Sequence, residues 1–357
     1  MTGTHTVAVI RGDGIGPELV ESALAVLDAV AVTASFTVRT VEVDAGAGTY
    51  RREGTVLPAA GLAAIRAADA TLKGPVGLPD VRHPDGTEAG LLGGVLRNGL
   101  DLYANVRPIT LLPGVESRLR VPDGGIDYVI VRENTEGLYA SRGKGVGNRH
   151  AMTDTLLVTR AGCERIARYA FEVARVRSGA PADGVRRVTC VDKANVLRSM
   201  YFFRSVFLDV AVDYPDVEAE CRYVDATAQA LVMEPEHFDV IVTESMFGDI
   251  LSDLGGGTVG GISLCPGGNI GDELAYFEPI HGSAPALAGQ DRANPLSQIL
   301  ATAMMLDHLR EDAAAETIRA AVRTAMASGA IRINHDGTPA GGTKAVTDAV
   351  VHAVGAS

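Results

Sequence analysis

The chain reads as an α/β protein, because short apolar runs rich in Val and Ile alternate with amphipathic helical stretches. Its 357 residues, 46% of them hydrophobic, suffice for about two domains with substantial cores. Arginines, a lysine and aspartates stand where the apolar runs end, and strand ends are where open α/β sheets assemble their sites.

In chain order, residues 6–10 form a strand, Arg11-Gly-Asp-Gly-Ile-Gly16 a turn, and Pro17-Glu18 open a helix to about residue 32. Proline with an acid beside it suits a first helical turn. The glycine-rich turn departs from G-x-G-x-x-G, and Asp13 in it would repel a pyrophosphate. A strand near 36–43, a helix near 58–67 and a strand at 70–73 continue the alternation, and Lys73-Gly-Pro-Val-Gly-Leu-Pro79 is a loop. A helical Val95-Leu-Arg97 precedes a strand over 101–108 that carries Arg107. The strand beginning at Ile126 runs out into Arg132-Glu-Asn-Thr-Glu-Gly-Leu-Tyr139. Residues 152–158 predict a strand and 161–176 an amphipathic helix. The strand from Val188 ends at Lys193 and Asn195, and a helix follows to about 212. Asp225 falls where a strand gives way to a helix, the place of an N-cap or of a metal carboxylate. A buried strand over 238–243 leads into a helix that sets Asp249 and Asp253 one turn apart.

A net charge of −12, from 32 basic and 44 acidic residues, argues against a nucleic-acid or anionic-membrane partner. Small anions remain as substrates. The four cysteines are widely spaced with no C-x-x-C, the N-terminus does not resemble a signal peptide, and no apolar run reaches about 18 residues. A cytoplasmic protein is expected.

Three chemical readings follow. Carboxylates at i and i+4 share a helix face, so Asp249 and Asp253 can present oxygens to one Mg²⁺ or Mn²⁺, although D-x-x-x-D alone also describes a solvated face. Arg97, Arg107 and Arg132 each leave an apolar run. They can clamp the carboxylates of a polyacid if they converge, and otherwise read as surface ion pairs. Lys193 at a strand end is a proton carrier if partial burial beside cations lowers its pKa, and a snorkelling lysine if not.

In order along the chain, Gly12-Asp-Gly-Ile-Gly-Pro-Glu18, Lys73-Gly-Pro75, Leu96-Arg97 with Asp101-Leu-Tyr-Ala-Asn-Val-Arg-Pro108, Arg132 to Tyr139, Asp192-Lys-Ala-Asn195, Asp225-Ala, Phe247-Gly-Asp-Ile-Leu-Ser-Asp253 and Glu278-Pro-Ile-His-Gly-Ser-Ala-Pro285 resemble the β-decarboxylating dehydrogenases. That family includes isocitrate, homoisocitrate, 3-isopropylmalate and tartrate dehydrogenases. The resemblance implies its fold, two α/β domains with the active site in the cleft between them. Residues 1–99 and 255–357 would make the large cofactor-binding domain, and 100–254 the small domain for substrate, metal and dimerisation. It implies a homodimer with shared active sites. Arg97, Arg107 and Arg132 would grip a hydroxy-diacid, and Asp249, Asp253 and Asp225 from the other protomer would hold the metal. Lys193, also reaching across, would act as base and Tyr139 as acid. Asn195 would lie beside the nicotinamide, with His281, Gly282, Ser283, Ala284, Pro285 and Asn294 around the adenosine.

The substrate-specific positions are mixed. Isocitrate enzymes carry Ser and Asn where Leu91 and Gly93 stand here, whereas Glu88-Ala-Gly-Leu-Leu92 resembles the E-x-G-L-L of isopropylmalate enzymes, whose leucines contact an alkyl group. Glu88, Leu91 and Leu92 are therefore expected at the substrate's 3-substituent. Lys73-Gly-Pro75 and the 132–139 stretch are closer to the isocitrate and homoisocitrate branch, and Gly93-Gly94 would also admit a carboxylate or phosphonate tail. After Pro285, Ala286-Leu287 carries neither the Asp of NAD enzymes nor the Lys-Tyr of NADP enzymes, which favours NAD, with Arg292 leaving NADP as the alternative. The expected reaction is oxidative decarboxylation of a 3-substituted (2R)-malate. Isocitrate, tartrate, malate or a phosphonate-bearing malate are alternative substrates, and a non-catalytic regulatory subunit is the remote one.

Overall fold

The computed structural model describes residues 3–84, 86–121 and 125–356. Its strands are β1 (Thr4–Ile10), β2 (Thr37–Glu42), β3 (Ala70–Lys73), β4 (Ala104–Thr110), β5 (Asp127–Glu133), β6 (Val146–Asn148), β7 (Ala151–Thr153), β8 (Arg187–Asp192), β9 (Glu218–Tyr223), β10 (Val240–Thr243), β11 (Pro266–Ile270) and β12 (Ala275–Pro279). The α-helices are α1 (Gly16–Ala34), α2 (Ala47–Glu53), α3 (Ala59–Ala67), α4 (Arg160–Val176), α5 (Arg198–Ala211), α6 (Val224–Met233), α7 (Ser245–Thr258), α8 (Leu296–His308), α9 (Asp312–Ala327) and α10 (Gly342–Gly355). Arg97 sits in a short π-type turn, Gly94–Asn98.

One sheet orders ten of these strands as β2-β1-β3-β12-β11-β4-β5-β10-β8-β9. Each flank is parallel. The middle is not, because β11 runs antiparallel to both β12 and β4, and β4 antiparallel to β5. Strand direction therefore reverses between the two flanks, and their C-terminal ends emerge at opposite edges. The site expected at a common line of strand ends instead lies on a sheet face at the antiparallel centre.

Alternation along the strands assigns the faces. On β5, Val129 and Val131 pack with Ile166, Phe171, Phe203 and Phe207 of α4 and α5, whereas Tyr128 and Ile130 pack with Leu231 and Leu251 of α6 and α7. On β1, Val7 and Val9 face α1, α8, α9 and α10, whereas Ala8 and Ile10 meet Ile65 of α3 and the segment holding Leu92, Leu96 and Leu102. Helices thus cover both sides. On the face shared by the 92–102 segment and α7, the centre of the sheet is polar.

The glycine turn after β1 is a clamp. Gly12 and Gly14 have φ of 76° and 58°, and a Cβ on either would stand 2.1 Å from the Pro75 carbonyl oxygen or 2.0 Å from that of Ser283. Glycine alone fits such an approach. Asp13 is buried, and its carboxylate accepts backbone N–H bonds from Ala47, Gly48 and Gly77, each at 2.8 Å. Its charge points into protein amides, fixing the start of α2 and the loop after β3.

Two local expectations are corrected. The strand predicted over 152–158 exists only as β7, an exposed arm paired with β6, because residues 154–158 have no sheet neighbour to extend it beyond the isolated bridge of Leu157 to Gly137. The N-cap of α6 is Tyr223, and Asp225 lies in the first turn, where its charge suits the helix dipole without capping it.

Candidate active site

Strand register builds the site's floor. Arg132 on β5 pairs with Asn105 on β4, Asn105 with Asn269 on β11, Asn269 with Tyr276 on β12, and Tyr276 with Thr71 on β3. Directly paired residues project from the same face, so five polar side chains form one row across the sheet centre. Two residues farther along their strands, Arg107 and Glu278 add to it.

Above this floor lies a cavity of about 450 Å³, lined among others by Lys73, Leu91, Arg97, Arg107, Tyr139 and Glu278. Asp249 on α7 is not in the lining itself but joins two residues of it, Arg107 and Tyr139, to Arg132. Its Oδ1 accepts a hydrogen bond from Arg132 at 2.6 Å and lies 3.2 Å from the Arg107 guanidinium, while its Oδ2 accepts from the Tyr139 hydroxyl at 3.0 Å. Asp253, one turn on, stands 3.7 Å from Arg107. The Glu244 side chain accepts from the N–H of Phe247 and caps this helix, and Arg132 also donates to Ser245 at 3.3 Å. Gly248 is required here, since a Cβ on it would lie 2.6 Å from Arg132 Cγ.

Charge in the cavity is graded. Burial would raise the pKa of Asp249, but Arg132 and Arg107 outweigh it and hold it below the usual range. Burial raises that of Asp253, and the Arg107 charge only partly offsets this. Burial and the Asp249 charge push Tyr139 up, so its hydroxyl stays protonated at neutral pH. Burial and the positive charges of Arg107 and Arg97 act together to lower the pKa of Arg132, the signature of cations crowded where an anion belongs.

On the other wall, Arg97 donates to the Tyr276 hydroxyl at 3.0 Å and to Glu278 at 3.3 Å, and Lys73 reaches Glu278 at 2.5 Å. Burial disfavours the Glu278 charge, but the Lys73 and Arg97 charges prevail and hold its pKa at about 2. A second cavity, of about 440 Å³, adjoins at His281 and is lined also by Gly282, Ala284, Arg292 and Asn294. Burial lowers the pKa of His281, its Nδ1 meets the Gly282 carbonyl at 2.9 Å, and its buried Nε2 has no partner. Ser283 donates to the Gly77 carbonyl and accepts at its own carbonyl from Ile15, tying this loop to the glycine turn. Asn294 donates weakly to Ser263 and the Gly337 carbonyl, each at 3.3 Å, and Arg292 lies 3.8 Å from Asp336. Pro285 opens a short exposed turn after them.

Apart from those expected around the adenosine, of which His281, Gly282, Ala284 and Asn294 line the second cavity and Ser283 and Pro285 do not, the expected residues fall into three groups. Arg97, Arg107, Arg132, Tyr139, Asp249 and Asp253 converge, and Leu91 lines the same cavity. Leu92 does not: it is fully buried against Ala8, Ile10 and Tyr276 in the core, because neighbouring residues of the segment face opposite ways. Glu88 lies outside the lining, against Gly77 and in an isolated bridge with Arg82. The third group is remote within the chain. Lys193 pairs with Asp225 at 2.5 Å beyond the ends of β8 and β9, beside exposed Asn195, and none of the three lines either cavity. The neighbour of Lys193 is thus a carboxylate rather than the expected cations. Among the described residues no group of three His, Cys, Asp or Glu side chains is arranged for a metal. Asn269 and Tyr276 carried no sequence signal, whereas Lys73, Asn105, Asn134 and Glu278 stood unused in recognised motifs.

A profile describing isocitrate/isopropylmalate dehydrogenases matches residues 6–350. The 3-isopropylmalate/3-methylmalate dehydrogenase of Methanocaldococcus jannaschii is 43% identical over 329 residues, 91% of this chain and 92% of that one. The 3-isopropylmalate dehydrogenase of Clavibacter sepedonicus is 42% identical over 370 residues, 99% of each chain. The crystal structure of isocitrate dehydrogenase from Methylococcus capsulatus matches with a TM-score of 0.86 at 39% identity, covering 98% of this chain and 99% of that one. Fold and kinship define a dehydrogenase. More particularly, the chain belongs to the isocitrate/isopropylmalate dehydrogenase family, whose chemistry is oxidative decarboxylation.

Proposed function

We propose that the protein oxidatively decarboxylates a 3-substituted (2R)-malate, 3-isopropylmalate-like or homoisocitrate-like, to a 2-oxo acid and CO₂, with NAD as hydride acceptor and Mg²⁺ or Mn²⁺ as metal. The observation that carries this reading is the meeting of Arg107 and Arg132 with Asp249 and Asp253, beside a cavity that Arg97 and Arg107 line.

The hard oxygens of Asp249 and Asp253, partly exposed one helical turn apart, fit such an ion. The partner's Asp225 would complete the set, which one chain leaves at two carboxylates. Bound there, the metal supplies Lewis acidity at the substrate's hydroxyl and adjacent carboxylate. His281, Gly282, Ser283, Ala284, Pro285 and Asn294 would hold the adenosine of NAD, the unpartnered Nε2 of His281 being free to meet it. The partner's Asn195 would flank the nicotinamide, which supplies the hydride sink. The arginines bind and orient the substrate carboxylates by paired charge-assisted bonds. Lys193 of the partner subunit takes the hydroxyl proton, and Tyr139 returns a proton to carbon after CO₂ departs. In this reading residues 1–99 and 255–357 form the large domain, 100–254 the small dimer-forming one, and closure of the cleft excludes water.

For the 3-substituent, Leu91 supports an alkyl group. Arg142 and Lys144 line the same cavity without ion-pair partners among the described contacts, which supports a carboxylate or phosphonate tail. The protein is read as a cytoplasmic homodimer, and no helix among the described residues is long and apolar enough to cross a membrane. The test is NADH and NADPH formation from 3-isopropylmalate, homoisocitrate, isocitrate, tartrate, malate and a phosphonate-bearing malate, with Mg²⁺ and with EDTA. Metal-dependent NADH formation from a 3-substituted malate is expected. No turnover of any of them would overturn the reading.

A further inference from the structure

One hydrogen-bonded chain crosses the sheet centre beneath the cavity. Arg107 Nε donates to Asn105 Oδ1 at 2.8 Å, Asn105 Nδ2 to Asn269 Oδ1 at 2.7 Å, and Asn269 Nδ2 to Glu278 Oε1 at 3.0 Å. Glu278 then accepts from Arg97 at 3.3 Å and from Lys73 at 2.5 Å. A guanidinium can only donate and a carboxylate can only accept, so the two ends dictate which way both amides face. The chain has a single polarity, and bonds aligned in this manner reinforce one another.

Asn269 is its middle link. It is fully buried, and its Oδ1 takes a second bond from Asn134 Nδ2 at 3.0 Å, so both ends of its amide are occupied. It sits on β11, the strand between β4 and β12, which bear Arg107 and Glu278. Those strands flank it on either side, and no other side-chain hydrogen bond among those described joins Arg107 to Arg97 and Glu278.

We propose that Asn269, acting through Asn105 and Glu278, is a positioning residue that fixes Arg107 against Arg97, and so sets the separation at which two substrate carboxylates are gripped. This rests on the functional reading above. A guanidinium held at both Nε and Nη1, the latter by Ser252 at 2.5 Å, presents its remaining donors in one orientation.

Asn269→Asp tests it. The new carboxyl oxygen would replace Nδ2 opposite Glu278. Next to that position lie Glu278 and Tyr276 of β12 and Asn105 of β4; the charged groups in contact with these are Lys73 of β3, Arg97 of the π-type turn and Arg107 of β4, with Arg132 of β5 and Asp249 and Asp253 of α7 beyond. Protonated, the new group donates to Glu278 as the amide does. Ionised, it faces another carboxylate and the relay breaks.

The expected result is a variant whose kcat/KM approaches wild type at acid pH and declines as pH rises, on a limb that wild type lacks. Asn269→Leu should raise KM for substrate about tenfold or more at every pH while leaving KM for NAD unchanged. Thermal melting of each variant establishes folding, and if Asn269→Asp does not fold, the split in Asn269→Leu decides. A pH profile parallel to wild type, or equal loss toward substrate and NAD, would overturn the relay. If wild type oxidises none of the malates, the functional reading fails instead.

Discussion

At the scale of single residues, the site is governed by which charge each buried group can neutralise. Glu278 has a pKa near 2 where an unperturbed glutamate stands at 4.5, because Lys73 and Arg97 outweigh its burial. A depressed carboxylate stabilises the fold above its unfolded pKa, and that contribution is lost as pH falls through the folded value. Between pH 4.5 and about 2 wild type should therefore lose up to about 3 kcal/mol through this residue. Glu278→Gln, although less stable at pH 7, should show a flatter decline in urea midpoint across that window; an identical decline would refute the assignment. Gly248 is equally exacting. A methyl group there overlaps Arg132 Cγ, so Gly248→Ala should cost about 1–3 kcal/mol and reduce kcat/KM more than kcat, as steady-state kinetics and thermal melting would reveal.

Among the elements, the most constrained are those whose ends meet the cleft. The turn between β1 and α1 was legible as a glycine turn, but the role of Asp13 was not. Its three amide partners lie 34, 35 and 64 residues along the chain, and no local pattern encodes them. Asp13→Ala should destabilise the protein by about 3 kcal/mol in denaturant unfolding, since it strands two buried N–H groups and one part-buried one. The start of helix α7 and its two carboxylates were legible, because β10 and the carboxylates are consecutive in sequence, whereas the Glu244 cap came only from the structure. By contrast, Leu91 and Leu92 were expected together, and only Leu91 lines the cavity, since the backbone between Gly90 and Gly94 decides which side chain faces inward. The strand over 152–158 failed for a related reason: its apolar residues form an exposed arm.

For the whole molecule, the separation of Lys193, Asn195 and Asp225 from the cleft of their own chain is the decisive feature. In the proposed dimer they serve the partner's site. Lys193→Ala and Asp249→Asn homodimers should each fold and be inactive. After unfolding and refolding together, statistical mixing should restore about a quarter of wild-type turnover, since each heterodimer then holds one intact site. Lys193→Ala with undiminished kcat, or no recovery on mixing, would exclude the shared arrangement.

The sequence by itself determined the alternation of strands and helices, the helix bearing Asp249 and Asp253, and the motifs that mark the family. Each is written in neighbouring residues whose spacing follows the helical or strand period. Only the tertiary structure decided that β11 enters antiparallel at the sheet centre and thereby brings Asn105 within hydrogen-bond reach of Asn269, 164 residues away. Strand register is fixed by packing across the whole sheet, and a shift of one residue would turn the polar row into the opposite face. The acid and the arginines were therefore readable one at a time, while their common orientation belongs to the fold.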